Sequence, residues 1–392
     1  MDAIPDVAFC PVSPLKSFVA CDLSELDPLI ARLISGSPTV KTEQFPRGTL
    51  LADGRLDLCK QEIGSGGAMA VAAALRGNGQ VSAVLLGADG IGDAGTVALA
   101  EVLDEKSAIR TVYLGCNGIG PGGVAAIVEA VDRGAPLTGL WLKRNPIGDA
   151  GLKLIAGLLE RNVTLRTLDL VNTQIGMEGL AALCEVLTER NRTVRRVYLG
   201  GNGIGPTGAA EVARVIRANA SIGAMMLNAN QLGDGGAAVL AEALRENKSL
   251  QTLALAANGI GPAGAASLFS AVARNRGLLN LDFGYCASAP AVGAVPNELG
   301  DLGARSVAEM LGENETLLDL NLLRTGLTPD GIALIAEALE RNMTLQRISF
   351  GVAIPQALQR TLKRIFTRNR AGSSLRRAAD EDILAIRNVY RS

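Results

Sequence analysis

Residues 137–164 read LTGLWLKRNPIGDAGLKLIAGLLERNVT, and this 28-residue pattern recurs along most of the chain. Successive copies are 28 residues apart, except for spacings of 29 and 39 residues before the copies at Val194 and Leu317. A fixed period of this length marks a repeat solenoid, in which each unit buries its apolar face only against its neighbours. The copies start at Val81, Ile109, Leu137, Leu165, Val194, Ile222, Leu250, Leu278, Leu317 and Leu345.

Each repeat contains the pattern of a short strand followed by a helix. In one copy, Val197 and Leu199 occupy positions 4 and 6 and alternate as a strand requires. Asn202 follows at position 9, where its side chain can satisfy loop backbone groups. The segment from Pro206 to about Ala218 predicts a helix with proline in its first turn, and Asn219 is expected to form a left-handed C-cap.

The consensus LxxLxLxxNxIGxxGaxxLaxaLxxNxtL resembles the leucine-rich repeat of the ribonuclease-inhibitor-like class. The same class includes the Ran GTPase-activating protein and the repeat domains of NOD-like receptors. The resemblance covers roughly residues 53–350. It implies an α/β solenoid, a horseshoe with parallel strands on the concave face and helices on the convex face.

The period divides the chain into three parts. Residues 1–50 are proline-rich and are expected to form an N-terminal arm and cap, with a short helix near Leu26–Ile34. Residues 51–353 form the solenoid of about 11 repeats, with an insertion at 284–298. Residues 354–392 form a basic capping segment, because exposed solenoid ends need polar covers.

Two of these segments have a functional alternative. The insertion is either a tolerated surface loop or a loop on the binding face. In the C-terminal segment, Leu358, Leu362 and Ile365 have helical spacing. That segment is either a capping helix with a solvated basic face or a docking site for an acidic partner, nucleic acid or an anionic surface.

Composition argues against familiar catalytic chemistry. The chain has no histidine, which removes serine triads, Cys-His dyads and histidine metal sites. The six cysteines contain no CxxC pair, so the sequence predicts no zinc site and no redox pair. We therefore predict a non-enzymatic protein without cofactor or metal.

Three GxGxxG motifs look like dinucleotide-binding fingerprints. They begin at Gly118, Gly203 and Gly259, each between a predicted strand and a predicted helix. Because they return with the repeat, we interpret them as strand-to-helix turns.

The sequence also predicts a location. The N-terminus MDAIPDVAFCPVSPLKSF lacks a basic region followed by an apolar one, and no apolar run reaches about 18 residues. Scattered thiols fit a reducing compartment, and usage rich in Ala, Gly and Arg is typical of G+C-rich bacterial genes. We predict a cytoplasmic protein of bacterial type without a membrane span; export by a specialised secretion system is the alternative.

A row of side chains at position 5 is the main functional signal. Aromatic residues make up only 3% of the chain, yet this row holds its only Trp and two of its four Tyr. Position 5 points away from the core, and exposed aromatics are enriched at interfaces. We predict a groove centred on Tyr113, Trp141 and Tyr198, with room beside the rings at Gly87, Gly115 and Gly200; stacking between neighbouring strands is the alternative. The partner-binding residues that we predict are Tyr113, Trp141, Lys143, Arg144, Asp169, Arg196, Tyr198, Met226, Asp282 and Tyr285.

These features favour a protein-interaction module, such as an adaptor, sensor or inhibitor, with a protein or peptide bound in the concave groove. A net charge of −1 argues against nucleic acid as the general partner. The alternatives are a GTPase regulator similar to the Ran GTPase-activating protein and a secreted host-directed effector.

Overall fold

The computed structural model describes residues 19–351, 353–372 and 381–386. The chain forms two compact units. Unit 1 consists of residues 1–186 together with 379–392, and unit 2 consists of residues 187–378. The boundary lies within one helix, α6 (Met177–Glu189). Among the described residues, no helix is both long and apolar enough to cross a membrane.

Unit 1 alternates strands and helices. Its strands are β1 (Glu43–Gln44), β2 (Thr49–Leu50), β3 (Arg55–Asp57), β4 (Ala83–Leu85), β5 (Thr111–Tyr113), β6 (Gly139–Trp141) and β7 (Thr167–Asp169). Its helices besides α6 are α1 (Asp27–Ile34), α2 (Gly64–Leu75), α3 (Gly92–Glu101), α4 (Pro121–Asp132), α5 (Gly148–Leu159) and α13 (Glu381–Ala385). The first two strands pair antiparallel, and β3 to β7 pair parallel in chain order.

Unit 2 repeats the same arrangement. Its strands are β8 (Arg196–Tyr198), β9 (Ala224–Met226), β10 (Thr252–Ala254), β11 (Asn280–Asp282), β12 (Asp319–Leu322) and β13 (Arg347–Phe350). Its helices are α7 (Pro206–Ala218), α8 (Gly233–Glu246), α9 (Pro262–Arg274), α10 (Gly300–Glu313), α11 (Pro329–Arg341) and α12 (Gln356–Gly372). All neighbouring strands of this unit pair parallel in chain order.

The predicted α/β solenoid is confirmed. Strand residues one repeat apart are paired directly, so Val112 lies beside Leu140 and Val197 beside Met225. These side chains at position 4 are buried, and successive helices pack on one another. The core therefore lies between the strands and the helices of successive repeats.

Asparagine at position 9 holds neighbouring repeats together. The Oδ1 atom of Asn230 accepts the N–H groups of Asn202 (2.9 Å) and Ile204 (3.1 Å) from the preceding repeat. Its Nδ2 donates to the carbonyls of Leu199 (3.1 Å) and Leu227 (2.9 Å). All of its hydrogen-bonding capacity is thus used inside the stack, where an unmade bond would be costly.

One backbone detail differs from expectation. Asn219 was expected in the left-handed region but is extended, with φ −99° and ψ 113°. Its Oδ1 instead accepts the N–H groups of Ser221 (2.8 Å) and Ile222 (3.1 Å), which ends the helix by a side-chain turn. Left-handed residues do occur at position 8, for example Cys116 (φ 63°) and Arg144 (φ 56°), where the chain turns out of the strand.

The insertion at 284–298 moves the position-9 asparagine along the chain. Counting nine positions from Leu278 predicts Cys286 for that slot, but Asn297 fills it and accepts the N–H groups of Asn258 (2.9 Å) and Ile260 (3.1 Å). Cys286 is buried in an apolar cluster that also contains Ala289 of the insertion and Ala257 of the neighbouring repeat. The extra residues therefore pack onto the neighbouring repeats, and the stack continues beyond them.

Helices lie at both ends of the repeats. Helix α1 packs on α2, where the sequence predicts a short capping helix. Helix α12 packs on α11 through buried Leu362 and Ile365. Asn369 of α12 donates to the carbonyls of the last repeat, including Leu345 at 2.7 Å. Much of the proline-rich arm (residues 1–18) and of the C-terminal segment (373–380 and 387–392) lies outside the described residues.

Candidate functional site

The candidate site in unit 1 lies on the side of the sheet that bears positions 3, 5 and 7. Since side chains alternate along a strand, these positions point away from the buried position 4. We call this surface strand face 1. The pairing confirms that position 5 forms a continuous row, in which Leu85 lies beside Tyr113, Tyr113 beside Trp141 and Trp141 beside Asp169. Strand face 1 comprises Ala83, Leu85, Gly87, Thr111, Tyr113, Gly115, Gly139, Trp141, Lys143, Thr167, Asp169 and Val171.

Glycines make room for both rings. A Cβ atom on Gly139 would lie 2.3 Å from Cζ3 of Trp141, so the indole folds back over that residue. A Cβ on Gly87 would lie 2.6 Å from Cε1 of Tyr113, and one on Gly115 would lie 2.9 Å from its hydroxyl. The predicted space beside the Tyr113 ring is therefore present.

Helix α13 covers these rings. The sequence predicts that they face solvent, but Tyr113 is 2% and Trp141 0% exposed. They form an apolar cluster with Leu85 and Ile386, against which Ile383 and Ala385 also pack. The apolar row is thus present as predicted, but a segment of the same chain occupies it.

Charged groups adjoin the aromatic rings. The Nζ of Lys143 lies 5.5 Å from the centroid of the Tyr113 ring, in the range of a cation–π contact. Lys143 is buried, and Arg144 at the next position is half-buried. The surface therefore carries at least one cationic group, Lys143, beside the apolar row.

Asp169 ends the row with a buried carboxyl group. Burial raises the pKa of Asp169 to about 6, although Lys143 and a hydrogen bond from the N–H of Val171 (3.0 Å) act to lower it. The desolvation of the carboxylate is thus only partly compensated. Its charge changes within a mildly acidic range of pH.

Cys59 lies at the edge of the same apolar cluster. Its sulfur accepts the N–H of Gly87 at 3.3 Å. Burial, with Asp57 and Asp89 nearby, raises the pKa of the Cys59 thiol well above its usual value. A thiol in this state is a poor nucleophile, so Cys59 acts here as an apolar residue.

The other predicted site residues lie in unit 2. In the position-5 row of this unit, half-buried Tyr198 packs against Met226, which is paired with it across the strands. Half-buried Arg196 lies two residues before Tyr198 on the same strand. We call the surface formed by positions 3, 5 and 7 of unit 2 strand face 2.

Asp282 is the last residue of strand β11, and Tyr285 lies at the start of the insertion. The Oδ1 of Asp282 accepts the N–H of Gly284 (3.1 Å) and the amide of Asn321 (2.8 Å). The ring of Tyr285 stacks under the guanidinium of Arg324, 4.1 Å from its centroid. Both side chains therefore have partners within unit 2.

Gly200 differs from Gly87 and Gly115, which also lie at position 7. A Cβ atom there would lie 2.7 Å from the carbonyl oxygen of Asn228, so this glycine accommodates backbone and not a ring. Within the described part of the chain, no three Asp, Glu or Cys side chains are grouped so that they could hold a metal ion.

A protein-family model matches several of the repeats. The family model described as Leucine Rich repeat matches residues 108–128, 161–184, 190–213 and 246–269. These four matches identify leucine-rich repeats within the chain. No curated protein matches the sequence.

Three solved structures are similar to the chain at low sequence identity. The yeast Rad7 and Elc1 complex has a chain with TM-score 0.54 and 13% identity, over 89% of this chain and 82% of that one. Leiomodin-1 actin-binding site 2 matches with TM-score 0.34 and 16% identity, over 50% of this chain and 91% of that one. The tropomodulin C-terminal domain of Caenorhabditis elegans matches with TM-score 0.34 and 18% identity, over 42% and 92%.

Sequence reasoning missed the residues that cover the site. The sequence around α13 contains one local signal, because Ile383, Leu384, Ala385 and Ile386 form an apolar run within a highly charged segment. Its short length gives no period, and nothing in it specifies the surface on which it packs.

Proposed function

We propose that this leucine-rich repeat protein is a non-enzymatic interaction module that binds a protein or peptide on strand face 1. The observation that carries the proposal is the apolar row Leu85, Tyr113 and Trp141, which lies outside the solenoid core and packs against another polypeptide segment. Buried aromatic anchors flanked by charge are typical of binding hot spots. The family is typically a binding scaffold, which supports the same assignment.

We also propose that the repeats belong to the ribonuclease-inhibitor-like class. Support comes from the 28-residue spacing and from full helices of 10 to 14 residues in the repeats.

The test is crosslinking of the full-length protein in lysate, with partners quantified by mass spectrometry. We expect Tyr113→Ala/Trp141→Ala to lose a partner that the wild type enriches, because each central anchor contributes about 2 kcal/mol or more. The matched control is Leu154→Ala, which changes a half-exposed side chain on α5 of the same repeat as Trp141. If a folded double variant keeps every partner that the control keeps, strand face 1 is not the binding site.

A further inference from the structure

Helix α13 has one side on strand face 1 and one side in solvent. Ile386 is 1% exposed and, with Ile383 three residues before it, packs on the aromatic row. Leu384 between them is 43% exposed. Ile383 lies within α13 and Ile386 directly follows its last residue, so this short segment packs on strand face 1 through its two isoleucines and leaves Leu384 exposed.

With α13 docked, strand face 1 retains a buried hydrogen-bond donor that has no acceptor. The indole Nε1 of Trp141 is buried and has no hydrogen-bond partner among the described residues. A buried donor without an acceptor opposes the covered state. A helix of five residues has negligible stability by itself, so α13 depends on its contact with the sheet. These properties fit an occupant that can leave.

The composition of the segment complements the charge of the surface. Asp380, Glu381 and Asp382 come directly before Ile383 in the sequence, and Lys143 lies over the Tyr113 ring, while Arg144 is close enough to Asp169 to act on its pKa. Electrostatic complementarity of this kind fixes orientation and partner choice more than it adds affinity. The surface therefore favours a helix with an acidic start followed by branched aliphatic residues.

We propose that α13 is a replaceable occupant of strand face 1, and that the partner binds there through a short amphipathic helix of the same chemistry. That helix has acidic residues at its start and two branched aliphatic residues three positions apart. This inference rests on the proposed function and names the partner class. The covalently attached α13 competes at a high effective concentration, so the partner helix binds only when α13 is displaced.

The experiment uses the full-length protein and a synthetic peptide of residues 379–392. Trp141 is the only Trp of the chain and the peptide has none, so intrinsic fluorescence reports on strand face 1 directly. The test variant is Ile383→Asp/Ile386→Asp, with Ile386→Ala as a milder version. Leu384→Asp is the matched control, because it places the same charge on the exposed side of the same helix.

We expect the test variant to show red-shifted Trp141 emission and stronger acrylamide quenching, with unchanged far-UV circular dichroism. It should bind the peptide about 10- to 1,000-fold more tightly than wild type, because the open state of wild type is a minor population. Leu384→Asp should behave like the wild type. Should the double variant lose its fold, the same comparison applies to Ile386→Ala with a smaller change.

Three results would overturn the inference. The first is unchanged Trp141 quenching in the folded variants, and the second is equal peptide affinity for wild type and variant. The third is Trp141 accessibility that falls with protein concentration, which would make a second copy the occupant. If the variant opens and binds the peptide, but no crosslinked partner depends on Tyr113 and Trp141, the proposed function fails and this inference stands.

Discussion

Replacing the buried carboxyl of Asp169 by an amide should stabilise unit 1 at neutral pH. The pKa of Asp169 is raised from 3.8 to about 6 by burial, a shift of roughly two units. At about 1.36 kcal/mol per unit, the ionised carboxylate lowers the free energy of unfolding by about 3 kcal/mol. Asp169→Asn resembles the protonated acid and can still accept the N–H of Val171.

The sign of the pH dependence follows from proton binding. Between pH 4 and 6 the folded state holds a proton on Asp169 that the unfolded state has lost, so the stability of the wild type falls as pH rises. Above about pH 6 the Asp169 carboxyl is ionised in both the folded and the unfolded state, so its destabilising effect on the folded state no longer changes with pH. Asp169→Asn should therefore match the wild type near pH 4 and exceed it by about 3 kcal/mol at pH 7.5.

Urea unfolding followed by Trp141 fluorescence measures this difference in unit 1 itself. The matched control is Asp282→Asn, which changes a half-buried carboxyl at the same strand position of unit 2. A destabilised Asp169→Asn at pH 7.5 would refute the reasoning. It would mean that attraction to Lys143 exceeds the desolvation of the carboxylate.

Two further substitutions test the packing of the repeats. Gly139→Ala should displace the indole of Trp141, because the added Cβ would lie 2.3 Å from the ring, and the emission of Trp141 should shift to the red. Gly157→Ala on α5 is the control and should leave the emission unchanged, because the space around Gly157 is open. Asn297→Ala should lower the free energy of unfolding of unit 2 by about 3 kcal/mol or more in chemical denaturation, because four hydrogen bonds are lost. Cys286→Ala should cost about 1 kcal/mol; equal losses for the two would contradict the assignment of the position-9 slot to Asn297.

The repeated geometry could be predicted because the same local constraints return in every copy. Alternation at positions 4 and 6, a turn near position 9 and a following helix define each unit, and one repeat unit pairs with the next in register. The row that places Tyr113 beside Trp141 follows from this period alone. The partner-binding role of the row stays a prediction.

The burial of that row could not be predicted, because it depends on a contact between residues more than 200 positions apart in the chain. Nothing periodic links Ile386 to Trp141. The role of Asn297 as the position-9 asparagine could not be predicted for a related reason. Counting residues from the strand assumes that the connection from strand to helix has the same length in every repeat. In both cases the decisive contact is tertiary, and the local sequence permits several outcomes.

The position of Asn297 shows that the hydrogen bonds of the asparagine side chain set how one repeat aligns with the next. The number of residues before that asparagine does not set this alignment. A connection can therefore grow at this point while the next repeat keeps its register. Gly293, with a φ of 67° and open space around its Cα, is where the fold would tolerate a grafted sequence. This solenoid could thus serve as a scaffold that displays a foreign loop without redesign of its repeats.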